Sequence, residues 1–420
     1  MSTAILRRDQ VSENTCFKQK CLTALFTISL VAIPLFANNN PTQRLVDEGF
    51  ENVTTTQKAD TLFAAFENNT HRASYRAIGI ALKALADEVP DVHHFKTVVL
   101  EYGKPQIAVH AQLDNGVWTT KVDYDTQTIE EATLQSTSNT TQRPQASSYG
   151  KIDVTLYPIV SIDNHLLDKL AEVVVILAPS VETSLWKGNR IFAQPIIPIF
   201  NNVGKNNPDS RVQLGVLGIR QDWLANSKWN ISTTAGSFLY NVMGLHADAT
   251  YHINPRLDVG LRAGISADQA FYKSGWKKGK FSNVLCMANA SYYEPVTSFQ
   301  IKASAGRFLY GDFGVRGDLV RHFGEYAIGV YGIYTDGERN AGFNFAIPLG
   351  KRKQYRNKLI RVRAPQYFSW EYSMISYYRY AFERMGRNYK ERPEKSFTTH
   401  YWQATYLQQY LQRYLDGHIK

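Results

Sequence analysis

Between 150 and 349 the chain alternates. In 298–306, Phe299, Ile301, Ala303 and Ala305 fall on one side of an extended backbone, and Gln300, Lys302 and Ser304 fall on the other. Further on, Phe343, Phe345 and Ile347 alternate with Asn344 and Ala346. A period of two marks a strand with unlike faces, because successive side chains of a pleated backbone point to opposite sides. Segments of this kind predict about twelve strands: 152–160, 171–178, 191–200, 212–219, 230–240, 245–253, 257–265, 283–293, 298–308, 314–323, 326–334 and 341–348. Gly215, Gly218, Gly260, Gly264, Gly306, Gly329 and Gly332 lie inside them, where small residues suit the tight curvature of a barrel wall. About ten tilted residues cross a membrane's hydrocarbon core. A sheet that does so must close on itself, or its edge N–H and C=O groups face lipid. The pattern predicts a mainly β chain in which 150–350 forms an antiparallel outer-membrane β-barrel of about twelve strands. A soluble β-sandwich alternates similarly, but the strand lengths and interior glycines favour the barrel.

Outside this region the pattern differs. Residues 54–57 and 61–67 are short strand candidates. Tyr75, Ile78, Leu82, Leu85 and Val89 recur at i+3 and i+4 and predict a helix that Pro90 ends. Residues 95–101 and 106–112 are two more strands, joined at Tyr102-Gly103-Lys104-Pro105. Together 38–133 predicts a small α/β unit, periplasmic after export. Residues 134–149, rich in Ser, Thr and Gln, read as a linker. In 351–420, Tyr406, Leu407, Tyr410, Leu411, Tyr414 and Leu415 recur every four residues, so this tail is partly helical.

Composition sharpens the picture at three points. Aromatics are 13% of the chain, with 25 Tyr and 21 Phe against 5 Met, which suits sheets better than helical bundles. Arg7, Arg8, Lys18 and Lys20 precede an uncharged apolar run over 22–36, so 1–37 reads as a signal peptide ending near Ala37. That segment takes Cys16 and Cys21 with it and leaves Cys286, without a disulfide partner. The formal net charge of +10 is concentrated in the aromatic tail 351–420. Basic and aromatic side chains together attract anionic lipid headgroups or acidic glycans. Arg361, Arg363, Tyr367 and Trp370 are the candidate contacts, and export sets nucleic acid aside.

Candidate chemistry is sparse. Arg307, Asp312, Arg316, Asp318 and Arg321 cluster near one hairpin. A charge facing lipid costs about 2–4 kcal/mol at the midplane, so these residues belong in a lumen or at a rim. There they either bind polysaccharide or form a ladder of salt bridges and turn caps; the second reading carries more weight. His93-His94 has no companion ligands in pattern, and no metal or cofactor is expected. Asp123, Asp125, Glu130 and Glu131 read as a solvated acidic edge, and no nucleophile–base arrangement accompanies them, so no enzymatic activity is expected.

One stretch carries a resemblance. Gly306-Arg307-Phe308-Leu309-Tyr310-Gly311-Asp312-Phe313-Gly314, followed by Phe345-Ala346-Ile347-Pro348-Leu349, resembles the YjbH-type exopolysaccharide outer-membrane proteins. Glu48-Gly49-Phe50-Glu51-Asn52-Val53, Phe66-Glu67-Asn68-Asn69, Tyr157-Pro158, Leu177-Ala178-Pro179 and Ser184-Leu185-Trp186-Lys187-Gly188 look like the same family's earlier segments. The likeness covers 45–375 in patches. It implies a non-catalytic role in exopolysaccharide or capsule export or surface assembly, with outer-membrane lipid, polysaccharide and periplasmic export proteins as partners.

Overall fold

A computed structural model describes residues 40–134, 144–163, 172–202, 212–238, 241–272, 275–354, 359–374, 386–388 and 402–419. The expected leader 1–37 and most of the expected linker lie outside these residues. Contacts unite 40–420 in one compact unit built on two sheets.

The first sheet holds β1 (Glu51–Lys58), β2 (Thr61–Glu67), β3 (His94–Glu101), β4 (Lys104–Asp114) and β5 (Val117–Asp123), in that order. The β2–β3 pair is parallel, and the other pairs are antiparallel. A parallel pair needs a crossover, here helix α2 (Ser74–Glu88). Its predicted stripe is the buried one: Tyr75, Ile78, Leu82, Leu85 and the following Val89 all face the core. The sequence reading lacks α1 (Pro41–Asp47), β5 and α3 (Gln127–Leu134). Helix α1 starts on Asn40, whose side chain accepts from Gln43 N at 3.0 Å, with proline in the first turn. The β4–β5 turn is Asn115-Gly116, both at positive φ, the geometry of a tight hairpin. Residues 144–149 are tied down, not free: Gln145 bridges Val53, and Ser148 bonds to Asn52 and Glu67.

The second sheet is one long meander. It comprises β6 (Ile152–Asp163), β7 (Glu172–Thr183), β8 (Asn189–Asn201), β9 (Gln213–Asn226), β10 (Trp229–Phe238), β11 (Val242–Asn254), β12 (Leu257–Tyr272), β13 (Gly275–Lys278), β14 (Asn283–Glu294), β15 (Phe299–Arg307), β16 (Phe313–Phe323), β17 (Tyr326–Thr335) and β18 (Glu338–Pro348). Every predicted strand overlaps one of these, and β13 is a short flap on β12. Two strands of the expected tail also join: β19 (Ile360–Arg363) runs parallel to β6, and β20 (Tyr367–Met374) antiparallel to β18. Ladders therefore leave the sheet open, ending in β19 and β20, where sequence predicts closure. The edges are nonetheless close. Only residues 364–366 link β19 to β20, a reach of about 10–14 Å, and Trp370 Nε1 donates to Val160 O at 3.0 Å. A side chain, not a ladder, bridges the seam, because β19 covers β6 over 152–155 alone.

Along β12, β16 and β17 the polarity of this sheet is inverted relative to a water-soluble one, while on β6–β8 the shielded side is apolar, with Tyr157, Val174, Ile176, Ala178 and Ile196 buried. Along β16 and β17, Val315, Leu319, Ile328 and Val330 are exposed, while Arg316, Asp318, Tyr331 and Ile333 are shielded. Leu261 and Ile265 of β12 are exposed as well, and Arg262 between them faces the other way. Register keeps like faces together: Leu319 lies opposite Val330 and Ile301.

The largest core lies in the first sheet and the two helices beside it, α2 and α4 (Ala404–Leu415). Leu407 and Leu411 are fully buried there, each worth about 1.5–3 kcal/mol. Gln412 accepts from Thr120 N at 3.2 Å and donates to Trp118 O at 2.7 Å, and Gln408 accepts from Val122 N. Helix α4 thus covers the edge strand β5, whose backbone groups would otherwise be open to pairing. The α/β unit and α4 together cap one end of the long sheet. Gly188 N donates to Tyr102 O at 2.7 Å, Tyr124 stacks on His252 at 3.7 Å, and Tyr406 OH donates to Gly324 O at 2.8 Å. Arg72 and Arg76 both pair with Glu325.

Candidate functional site: the polar inner face and its capped end

The five charged residues read from one hairpin separate into three places. Strand parity puts Arg316 and Asp318 on the inner face of β16. Arg316 Nε donates to Asp318 Oδ2 at 3.0 Å and Nη2 to Asp318 Oδ1 at 2.8 Å, while Nη2 also reaches Glu371 Oε2 of β20 at 2.7 Å. The guanidinium lies over the Tyr331 ring at 4.1 Å. Tyr331 in turn lies across Gly342, where a Cβ would come within 2.6 Å of the ring. The cluster therefore spans β16 to β20. Arg316 forms a charge-assisted bidentate pair with Asp318, and Lys302 of β15, opposite Asp318 in register, is the second cation set against the two carboxylates.

Arg307 and Asp312 lie at the uncapped end. Asp312 is buried and accepts from Gly386 N at 2.8 Å; Leu309 N donates to Arg387 O at 2.9 Å. Arg262, paired with Asp248, also donates to Asn388 Oδ1 at 3.3 Å. Residues 386–388 thus sit against inward-facing side chains of β12 and the β15–β16 turn. Arg321 is on the outer face near the capped end, with its guanidinium 5.5 Å from the Phe299 ring and 5.0 Å from the Phe323 ring.

The tail candidates divide as well. Arg361 is buried and paired with Asp153 through both nitrogens, at 2.9 and 2.6 Å, and also donates to Gln354 O and Asn69 O. Tyr367 is buried too. These two correct the expectation of surface contacts: a buried guanidinium matched by a carboxylate offers no charge to lipid or glycan. Arg363 donates to Thr155 Oγ1 at 3.2 Å. Trp370 remains on the outer face beside Phe343 and Phe345, with ring centroids 5.9 Å from each.

A cavity of about 140 Å³ opens where the capping unit meets β6 and β7, lined by Glu67, Glu101, Lys151, Asp153, Tyr157, Glu182 and Trp402 among others. Glu67 is fully enclosed. It accepts from Asn52 at 2.6 Å, from Ser148, and from the backbone N–H of Tyr102 and Gly103. Burial pushes its carboxyl up, and nearby Glu51 adds to this, against the lowering effect of those donors. Glu51 is held by Lys151 at 2.6 Å, and Trp402 Nε1 donates to Glu101 at 2.9 Å. The arrangement is a polar cleft whose carboxylates are bonded to neighbouring protein groups. The sequence reading did not find it; the run Glu67-Asn68-Asn69 at a strand end was the available signal.

The acidic residues after β5 do not converge as reactive groups. Burial opposes ionisation of Asp123, but hydrogen bonds from His110 and Lys121 hold it down at about 2. His94 lies 3.7 Å from Asp60, and His93 Nδ1 lies 3.1 Å from Leu113 O. No group of three or more His, Cys, Asp or Glu that could hold a metal occurs among the described residues. Comparison of the sequence with protein-family models and with curated proteins finds no match.

Proposed function

We propose that the chain is an outer-membrane β-barrel with a periplasmic α/β cap, serving exopolysaccharide or capsule export or surface assembly without catalysing a reaction. The observation that carries the membrane reading is the exposed apolar outer face of the long sheet, backed on β12 and β16 by charged side chains turned inward. Leu261 and Ile328 are 63% and 60% exposed, while Arg262, Arg316 and Asp318 face inward. In water this outer face would be a far larger apolar patch than the few hundred Å² a soluble monomer tolerates. In lipid it is the stable orientation. Aromatics sit at both ends of the outer face: Trp223, Trp229 and Tyr326 toward the cap, Phe271, Trp276 and Tyr334 away from it. Tryptophan and tyrosine favour membrane interfaces. The three-residue passage between the sheet edges supports closure.

The polysaccharide role rests on the resemblance. The inner face bears on the mode of action. The Arg316–Asp318–Glu371 cluster, residues 386–388 and the cap all occupy space that a general diffusion pore would keep open, which favours an occluded assembly component. Two experiments test the proposal. The protein is expected in the outer-membrane fraction, extracted only by detergent, and faster on a gel unheated than boiled; recovery of 40–420 in the water-soluble fraction ends the membrane reading. A deletion strain is expected to lose exopolysaccharide, with Arg316→Ala and Asp318→Ala reducing it. Unchanged polymer in the deletion strain ends the export role.

A further inference from the structure

The outer face is not uniformly smooth. Across β8 to β13 it is indented by a groove of about 560 Å³, lined by Leu217, Ile219, Ala235, Met243, Phe271 and Trp276 among others. Its floor is backbone. Gly218 and Gly236 lie where neighbouring strands pinch together: a Cβ on Gly236 would come within 2.2 Å of Leu217 O, and one on Gly218 within 2.8 Å of Ala235 O. Both glycines alternate with the outward Leu217, Ile219 and Ala235, and Gly218 lies opposite the buried Phe192, so they lend backbone to the floor while their Cβ positions fall on the inner side. Its wall is held from within the protein. Trp276 Nε1 donates to Gln269 Oε1 at 3.3 Å, Gln269 Nε2 donates to Ser237 Oγ, and Trp276 pairs in register with Phe271.

The groove runs to the uncapped end of the sheet, and there the chemistry changes within one flap. Lys277, Lys278 and Lys280 follow Trp276 directly and are all exposed. Lys278 lies opposite Gln269 in register, on the groove's side of the flap, with its ammonium 5.4 Å from the Phe281 ring. Lys277 pairs with Ala270 and falls on the other side of the flap, so Lys278 and Lys280 are the ammonium groups offered at the groove's end. An apolar channel ending in a cluster of ammonium groups matches one kind of molecule: a lipid whose acyl chain fills the channel and whose phosphate meets the lysines.

We propose that this groove is a binding site for a phosphate-bearing anionic lipid, with the acyl chain along the Gly218–Gly236 floor and the headgroup at Lys278 and Lys280. This rests on the membrane reading above and adds lipid selectivity to it. The occupant is a lipid of the leaflet next to the uncapped end.

The test uses the full chain, folded in detergent and offered equimolar phosphatidylglycerol and phosphatidylcholine with identical acyl chains, and reads retained lipid by native mass spectrometry. Wild type is expected to retain phosphatidylglycerol at least about fivefold better, the weight of a single lysine at an anionic surface. The double variant Lys278→Gln, Lys280→Gln is expected to retain the two lipids equally. Ala235→Trp, which fills the groove from a lipid-facing position, is expected to lower retention of both. Heat-modifiable gel mobility is measured on every variant, so that only folded protein is compared. Equal retention of both lipids by folded wild type, or unchanged retention in either variant, overturns the lipid site and leaves the barrel standing. A wild type that is soluble without detergent removes both together.

Discussion

At the scale of single residues, three positions have consequences that titration or substitution can reveal. His71 is buried on the first sheet, where its Nε2–H donates to Glu48 O at 2.9 Å. Burial lowers its pKa, and Lys353 and Arg76 push the same way, against the carbonyl and Glu48 carboxylate. A histidine depressed below its ordinary 6.5 contributes stability that is present above that value and lost as pH falls through the folded value. The thermal midpoint of the α/β unit is therefore expected to fall on acidification from pH 7. In His71→Gln that slope should flatten, read by differential scanning calorimetry across pH. Asp123, held at about 2, acts lower: its contribution is present above about 4 and is lost toward pH 2. Asp123→Asn should remove that acid step alone. Gly79 is a matter of space. A Cβ there would come within 2.3 Å of the Tyr414 ring, so Gly79→Val should loosen α4 from α2. Gly79→Val with Tyr414→Ala should recover part of the loss, and a fully additive double variant would refute the contact as its cause.

At the scale of elements, α4 is the piece whose role the sequence only half announced. Its four-residue spacing shows in the primary structure, and the same residues, Tyr406, Leu407, Tyr410 and Leu411, are buried. What they bury against is not visible in that spacing. The answer came from polar positions: Gln408 and Gln412 meet the backbone of β5, a strand the sequence reading missed although Asn115-Gly116 advertised its turn. Leu411→Ala is expected to cost about 2–5 kcal/mol and to expose β5 to protease, visible as a new early cleavage in limited proteolysis. Retained protection would mean that α4 is not what covers that edge. The long strands were the most legible elements, since each signals itself within ten residues. The strands β19 and β20 were not, because they lie in a stretch whose basic and aromatic composition outweighed its short alternation.

For the whole molecule, the decisive contact is the docking of the α/β unit on one end of the long sheet. Glu325, in the turn after β16, takes Arg72 and Arg76 together, all three nearly inaccessible to solvent. Removing one member of a buried pair costs about 3–5 kcal/mol because the partner is left uncompensated. Glu325→Gln is expected to lower the unfolding midpoint of the α/β unit and to raise hydrogen exchange at α2, with the meander less affected. Equal loss in both sheets would mean that they unfold as one. Arg361 pinned to Asp153 makes the same point for the seam: a residue placed in a basic surface tail by composition is a buried strut of the sheet.

What the chain settled by its own local pattern is the presence and approximate place of the long strands, the separation of their two faces, and the apolar stripes of α2 and α4. Those features depend on neighbours one to four residues apart, and periodicity records them directly. Which face turns outward, how β19 and β20 return to opposite edges, where α4 docks and what surrounds Glu67 were decided by tertiary structure. These features rest on partners such as Arg361 and Asp153, 208 positions apart, or Gln412 and Thr120, 292 apart. Such partners meet only in the folded molecule, and no local window along the chain contains both.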